Sequence, residues 1–238
     1  SAGASLFYLG FLPPVAGLML NLPIAAFVGS LLSIVVVYLT ARTGTFVSPA
    51  RLLLAGVAVS ALMSAVTSFV TLTSPSPYKM QAVLFWLMGS LSNTQWSSVA
   101  LPAFTAIGGL VLLMTFSRTL DTFLIGEEPA RSLGVSVEVA KRMLVLLIAI
   151  VTGTLVAFSG TIGFVGLIIP HAVRSIVGVT HRRLVPASFC AGALFLLWAD
   201  LAARTIISPL EIPIGILTAI CGVPFFLVLL RRKRYHFG

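Results

Sequence analysis

The chain has 238 residues, of which 58% are hydrophobic and 9% charged, with a formal net charge of +9. Soluble domains carry about a quarter charged residues, so this composition excludes an ordinary soluble domain and predicts a bundle with lipid as its solvent. The positive balance does not point to nucleic acid, because the basic residues fall in short gaps between apolar runs, the pattern of membrane topology.

In chain order, the apolar runs are Ala4–Leu20, Pro23–Ala41, Pro49–Leu72, Trp96–Phe116, Val139–Phe158, Ile162–Val177, Leu184–Ala203 and Pro213–Leu230. A spanning helix needs roughly 20 mostly apolar residues, so the expectation is about eight spans in an all-α, polytopic transmembrane helical bundle, one domain over residues 1–238. The first run holds Pro13-Pro14, and the sixth is short and Gly-rich. Irregular backbone of that kind survives at membrane depth only where protein or a water-filled cavity covers the freed polar groups. Between the third and fourth runs, Gln81–Leu91 is too short to span; with Phe85 and Trp86 it predicts a surface or re-entrant helix at the headgroup level. The chain opens at Ser1, without Met or a basic stretch typical of a signal peptide, and reads as a fragment that lacks upstream sequence.

Alternating these runs places Arg42, Arg51, Arg118, Arg131, Lys141, Arg142, Arg174, Arg182, Arg183, Arg231, Arg232, Lys233 and Arg234 at one face, and Lys79 and Arg204 at the other. The positive-inside rule makes the first face, with the C-terminus, cytoplasmic. Small residues recur at helical spacing in Ala25, Gly29 and Ser33, in Gly56, Ser60 and Ser64, and in Gly215 and Ala219. Lipid supplies little hydrophobic drive for helix association, so these stripes predict close backbone packing. Cys190 and Cys221 lie inside apolar runs without a second ligand at metal spacing, and read as small buried hydrophobes.

Three places carry candidate function. The first is the longest cytoplasmic connection, centred on Gly126-Glu127-Glu128-Pro129-Ala130-Arg131-Ser132-Leu133-Gly134-Val135. Pro129 suits a first helical turn and Gly134 a C-terminal cap; the acids sit at the positive end of the helix dipole and Arg131 nearer its negative end. A short helix is thus specified in a loop that needs none for connection, either as a solvated interfacial element or as a docking element for a cytoplasmic partner. The second is Asp200 and Arg204, four apart and on one helix face, near the outer end of the seventh run. They form either a structural ion pair or a pathway or partner contact. The third is Ser159 to His171, where Gly160, Gly163 and Gly166 permit close backbone contact or a helix break lining a pathway. His171 reads as a buried, hydrogen-bonded imidazole in preference to a metal ligand.

No catalytic or metal-binding constellation is present: there is no phosphate loop ending in Lys-Ser/Thr, no His-Glu-x-x-His and no Gly-x-Ser-x-Gly. Energy for uphill transport would therefore enter from another chain.

Ser159 to His171, Thr180-His181-Arg182-Arg183-Leu184-Val185-Pro186, Ala199-Asp200 to Ala203-Arg204, Glu211-Ile212-Pro213-Ile214-Gly215 and Gly222-Val223-Pro224-Phe225-Phe226 together resemble the FecCD family of permeases, as do Phe85 to Leu91 and Ser1 to Ser5. Members serve bacterial ATP-binding-cassette importers of ferric siderophores, haem and vitamin B12. The resemblance covers essentially the whole chain. It implies a family fold of about ten spanning helices, with short periplasmic and cytoplasmic coupling helices, of which about two N-terminal spans precede Ser1. It also implies a second permease subunit, two cytoplasmic ATPase subunits that use ATP and Mg, a periplasmic substrate-binding protein, and no cofactor on this chain. By position, Glu127, Glu128, Ala130, Arg131 and Leu133 would meet the ATPase, and Arg204 the binding protein. An ion-coupled secondary transporter and an inactive truncated scaffold remain the alternative readings.

Overall fold

A run of Leu, Ile, Val and Ala in lipid must satisfy every backbone N–H and C=O within its own segment, and the helix is the local solution. The computed structural model describes residues 21–43, 46–47, 49–73, 77–92 and 94–232. The first expected run, Ala4–Leu20, the Ser1–Ser5 stretch, Lys233 and Arg234 lie outside them. The described chain forms α1 (Asn21–Ala41), a ribbon of β1 (Arg42–Thr43) and β2 (Phe46–Val47), α2 (Pro49–Leu72), α3 (Pro77–Met88), α4 (Trp96–Thr115), α5 (Ser117–Phe123), α6 (Glu127–Ser132), α7 (Val137–Ser159), α8 (Val165–Val177), α9 (His181–Thr205) and α10 (Ile214–Arg232). The ribbon is antiparallel, with Arg42 opposite Val47.

Stretches of α1, α2, α4, α7 and α9 are long and apolar enough to cross a bilayer. The sixth expected run is shorter than the sequence suggested, because α8 has 13 residues and starts at Val165 instead of Ile162. At 1.5 Å per residue it reaches only about 20 Å. The cause lies just before it. Gly160 has φ 69° and Phe164 has φ 66°, so the backbone leaves helical space over 160–164. Phe164 accepts at its carbonyl from the N–H groups of Leu167 and Ile168, and this restarts the helix.

Helix α7 lies between α1 and α4 and packs on both. Its small residues Ala149, Gly153 and Ala157, four apart, are all buried. A Cβ on Gly153 would meet Ser30 Oγ at 2.5 Å and the Phe27 ring at 3.3 Å, while Ala26 and Ala157 form one buried cluster with Phe27, Trp86 and Phe158 around them. The close packing expected of small residues is present, but the face of α1 is Ala26 and Ser30, one position round from Ala25–Gly29–Ser33. On the other side of α7, a Cβ on Gly109 of α4 would lie 2.5 Å from Val151. Ile169 and Val173 of α8 pack with Leu184 of α9.

The C-terminus of α3, the C-terminus of α7 and the N-terminus of α10 meet at one face, backbone against backbone. A Cβ on Gly160 would strike the Trp86 carbonyl and come within 2.9 Å of Gly89 Cα; one on Gly89 (φ 73°) would come within 2.6 Å of the Thr161 carbonyl; one on Gly215 would strike the Met88 carbonyl. Hydrogen bonds close the junction: Ser90 N–H donates to the Ser159 carbonyl at 2.9 Å, and Ile214 N–H to the Gly89 carbonyl at 3.0 Å. Following the chain from here, the other ends of α2, α4, α7, α8, α9 and α10 lie at the opposite face with most of the basic residues.

Cys190 and Cys221 are exposed, contrary to the expectation of buried small hydrophobes. Leu53, Leu54 and Val57 are likewise about 70% exposed. In a bundle solvated by lipid the outward faces are as apolar as the inward ones, so an apolar run does not predict burial.

Gly160→Ala places a Cβ against two backbones in a conformation almost confined to glycine, and is expected to destabilise by roughly 2–4 kcal/mol. Gly166 has nothing within 4 Å of a Cβ and lies inside α8, so Gly166→Ala is expected to be neutral or stabilising by up to about 1 kcal/mol. Unfolding of both variants in detergent micelles checks the contrast.

Candidate functional site

Four of the six acidic residues, Asp121, Glu127, Glu128 and Glu138, fall within the connection between α4 and α7 and the first turn of α7. They build an elbow. Ser117, buried, starts α5 directly after α4. Gly126 at φ 112° turns the chain into α6, and Glu127 and Glu128 occupy its first turn, where the helix dipole favours negative charge. Gly134 at φ 83° ends α6. Its N–H donates to the Arg131 carbonyl at 2.9 Å and the Val135 N–H to the Ala130 carbonyl at 3.1 Å, the two bonds of a Schellman cap.

The elbow is held to α7 by charge. Lys141 Nζ lies 2.7 Å from Glu127 Oε1, and Arg131 Nη2 donates to Glu138 Oε1 at 3.2 Å. Ala130 is completely buried; it seats α6 within the chain and offers no outward surface. Glu128 is exposed and has no ion-pair partner among the described residues. Leu133 is 65% exposed just past α6, and Leu124 and Ile125, exposed as well, precede it. Exposed apolar side chains thus stand before and after a short charged helix outside the spans, whose first turn carries the exposed Glu128. Only Leu133 of the three was singled out in the sequence. The signal for the other two was their position in the gap between spans, where lipid does not explain an apolar side chain.

Sequence reasoning also missed the pairing of Asp121 with His181, a residue that stood there only within the Thr180–Pro186 stretch. His181 is the first residue of α9. Asp121 Oδ1 accepts its backbone N–H at 2.8 Å and lies 2.7 Å from its Nδ1. One carboxylate oxygen on α5 thus satisfies an N–H that the N-terminus of α9 leaves without a helical partner. The backbone hydrogen bond from His181, reinforced by the imidazole and opposed by burial, holds the Asp121 carboxyl below its ordinary value. No motif announces this pair, since the partners are 60 residues apart.

At the opposite face, Arg204 Nε donates to Asp200 Oδ2 at 2.9 Å and Nη2 to Oδ1 at 3.3 Å. The i,i+4 pair expected from sequence therefore forms, as a bidentate contact on the last turns of α9, with Arg204 exposed. The three glycines of the expected break separate: Gly160 lies in the backbone junction, whereas Gly163 and Gly166 have open space around a notional Cβ. His171 packs edge-to-face on Phe225 of α10, with ring centroids 6.1 Å apart, and makes no hydrogen bond among the described residues. Among those residues, no group of three or more His, Cys, Asp or Glu is placed to hold a metal ion.

A lowered carboxyl pKa contributes stability above the unfolded value and loses it as pH falls through the folded one. Asp121→Ala is therefore expected to destabilise by about 1 kcal/mol at neutral pH, the worth of a lost helix cap. The difference from wild type should fade on acidification through the lowered Asp121 pKa. Denaturation of both chains at a series of pH values checks it.

The profile of the FecCD transport family matches residues 1–232. The chain is 43% identical over 88% of its length to the cobalamin import system permease protein BtuC of Halobacterium salinarum, and 41% identical over 94% to the hemin transport system permease protein HmuU of Yersinia pestis. It spans 56% and 66% of the lengths of those two relatives. A solved structure described as a metal-chelate type ABC transporter in an inward-facing conformation superposes with a TM-score of 0.86 at 31% identity, covering 98% of this chain and 72% of the other. Matched by the family profile over nearly its whole length and sharing this fold, the chain belongs to the FecCD transport family.

Proposed function

We propose that the chain is the membrane-spanning permease unit of an ATP-binding-cassette importer, carrying an iron chelate, haem or cobalamin across the bacterial inner membrane. The observation that carries this reading is the elbow. A six-residue helix outside the spans is capped at its C-terminus, seated by a buried Ala130 and tied by two ion pairs to α7. It directs Glu128, Leu124, Ile125 and Leu133 outward. A loop that only connects α4 to α7 needs none of these.

In this reading the basic face is cytoplasmic, with the C-terminus, and the elbow receives one of two ATPase subunits. ATP and Mg act on that partner; this chain supplies no phosphate loop. Arg204, on the face with few basic residues, meets a periplasmic substrate-binding protein. A second permease copy or homologue completes the pathway. The stripe Gly56–Ser60–Ser64 of α2 supports that partner: Gly56 has nothing within 4 Å of a notional Cβ, and Ser60 and Ser64 are exposed. Movement of the elbow tilts the spans it holds, opening one side and closing the other. The spans carry few charges, which suits a wide path whose selectivity rests with the binding protein.

Glu128→Arg and Leu133→Asp change outward side chains without touching the ion pairs that hold α6. Each is expected to lower retention of the ATPase by the full-length permease by about tenfold or more, on the scale of losing one buried interface residue, and to abolish uptake at unchanged permease yield. Glu127→Arg also breaks the Lys141 pair and is the less clean variant. Pull-down of the ATPase with uptake of labelled chelate reads both; undiminished retention in both variants would sink the elbow as the docking site.

A further inference from the structure

Two elements leave the elbow toward the opposite face. One is α7, held by Glu127–Lys141 and Arg131–Glu138. The other is α9, held by Asp121 at its first residue. Their far ends differ. Helix α7 ends in the backbone junction at Gly160, where Trp86 and Gly89 leave no room even for a methyl group. Helix α9 ends at Thr205, one residue past Arg204; residues 205–211 are all exposed, and a backbone bond, from the Ile212 N–H to the Ala203 carbonyl at 3.0 Å, ties this end back to the chain.

We propose that the Asp121–His181 pair is a latch that makes α5 and α9 move together, so that α9 relays elbow displacement to Arg204 and the reverse. This rests on the importer reading above. Helix α9 has 25 residues, about 37 Å at the helical rise, enough to join the two faces by itself. Its first turn is basic, with Arg182 and Arg183, and α5 carries Arg118; Asp121 is the acid on α5 that binds the two ends. Both His181 contacts converge on one carboxylate oxygen, so removing that side chain releases the backbone N–H and the imidazole at once. The helices α5 and α9 pack on each other in any case; loss of Asp121 leaves that packing and removes the directional link. Asp121 is thus a positioning residue, away from the outward docking side chains.

The test uses the full-length permease with its ATPase and binding protein in proteoliposomes. Ferric hydroxamate, haem and cobalamin are supplied in turn as probes. Basal ATP hydrolysis, its stimulation by the binding protein, and uptake per ATP are read together. Asp121→Ala should keep ATPase retention and basal hydrolysis, yet lose stimulation and uptake per ATP by about fivefold or more, the lower range of an inter-site coupling. Asp121→Asn retains an oxygen that accepts the His181 N–H and should recover most of the coupling. Asp121→Ala with wild-type stimulation and uptake per ATP overturns the latch. So does a parallel loss of retention and every activity in both variants, which marks a purely structural role. Wild-type permease that retains no ATPase overturns the importer reading instead, and the latch falls with it.

Discussion

Where Gly89, Gly160 and Gly215 meet, three backbones touch with no side chain between them, and the rest of the bundle is arranged around that contact. Lipid tails are as apolar as leucine, so helices gain little by hiding leucine from them; close van der Waals approach and backbone hydrogen bonds do the joining. The junction has both. It fixes the far ends of α3, α7 and α10 and stops α7 before it can run on into α8. A further close contact, Gly153 and Ala157 of α7 against Ser30 and Ala26 of α1, uses the same device in the last turns of α7. Helix α7 is therefore packed closely toward its C-terminal end and tied by charge at its N-terminal end.

Charge does the complementary work at the opposite face. The chain has few acids, and it concentrates them between Asp121 and Glu138. Two ion pairs lie there, Glu127–Lys141 and Arg131–Glu138, with the Asp121–His181 hydrogen bonds beside them. Outside the hydrocarbon such pairs are affordable, and because they are partly exposed each is individually weak. Their value is geometric: they hold the short helix α6, which would not be stable alone, against α7, and the Asp121 carboxylate ties α5 to the first residue of α9. A close-packed backbone junction thus lies at one face and a charged, tied-down elbow at the other.

The helical bundle was legible because run length follows from the bilayer itself: of the eight expected runs, five form helices long and apolar enough to span and two form shorter ones among the described residues. The elbow was legible too: Pro129, Gly134 and the paired glutamates obey local rules of helix initiation and capping. So was Asp200–Arg204, which needs only i,i+4 spacing. What stayed hidden was long-range. Asp121 and His181 are ordinary residues until α5 and α9 are brought together. Gly215 stood in a small-residue stripe, but its junction partner Gly160 was grouped with Gly163 and Gly166, which share its spacing and none of its contacts. The face of α1 was displaced by one residue, since small residues are frequent enough in this chain to offer two neighbouring stripes. Burial could not be read from hydropathy at Cys190 or Cys221, because lipid removes the contrast between inside and outside on which that inference rests.

Everything assigned to the elbow depends on which side of the membrane it occupies. The direct measurement is accessibility of single cysteines at Ser132 and Ser208, each exposed and at opposite faces, in a chain with Cys190 and Cys221 replaced by serine. In intact spheroplasts an impermeant maleimide should label Ser208→Cys at once and Ser132→Cys only after permeabilisation. Labelling of Ser132→Cys before permeabilisation, with Ser208→Cys protected, would put the elbow outside the cell and contradict the account.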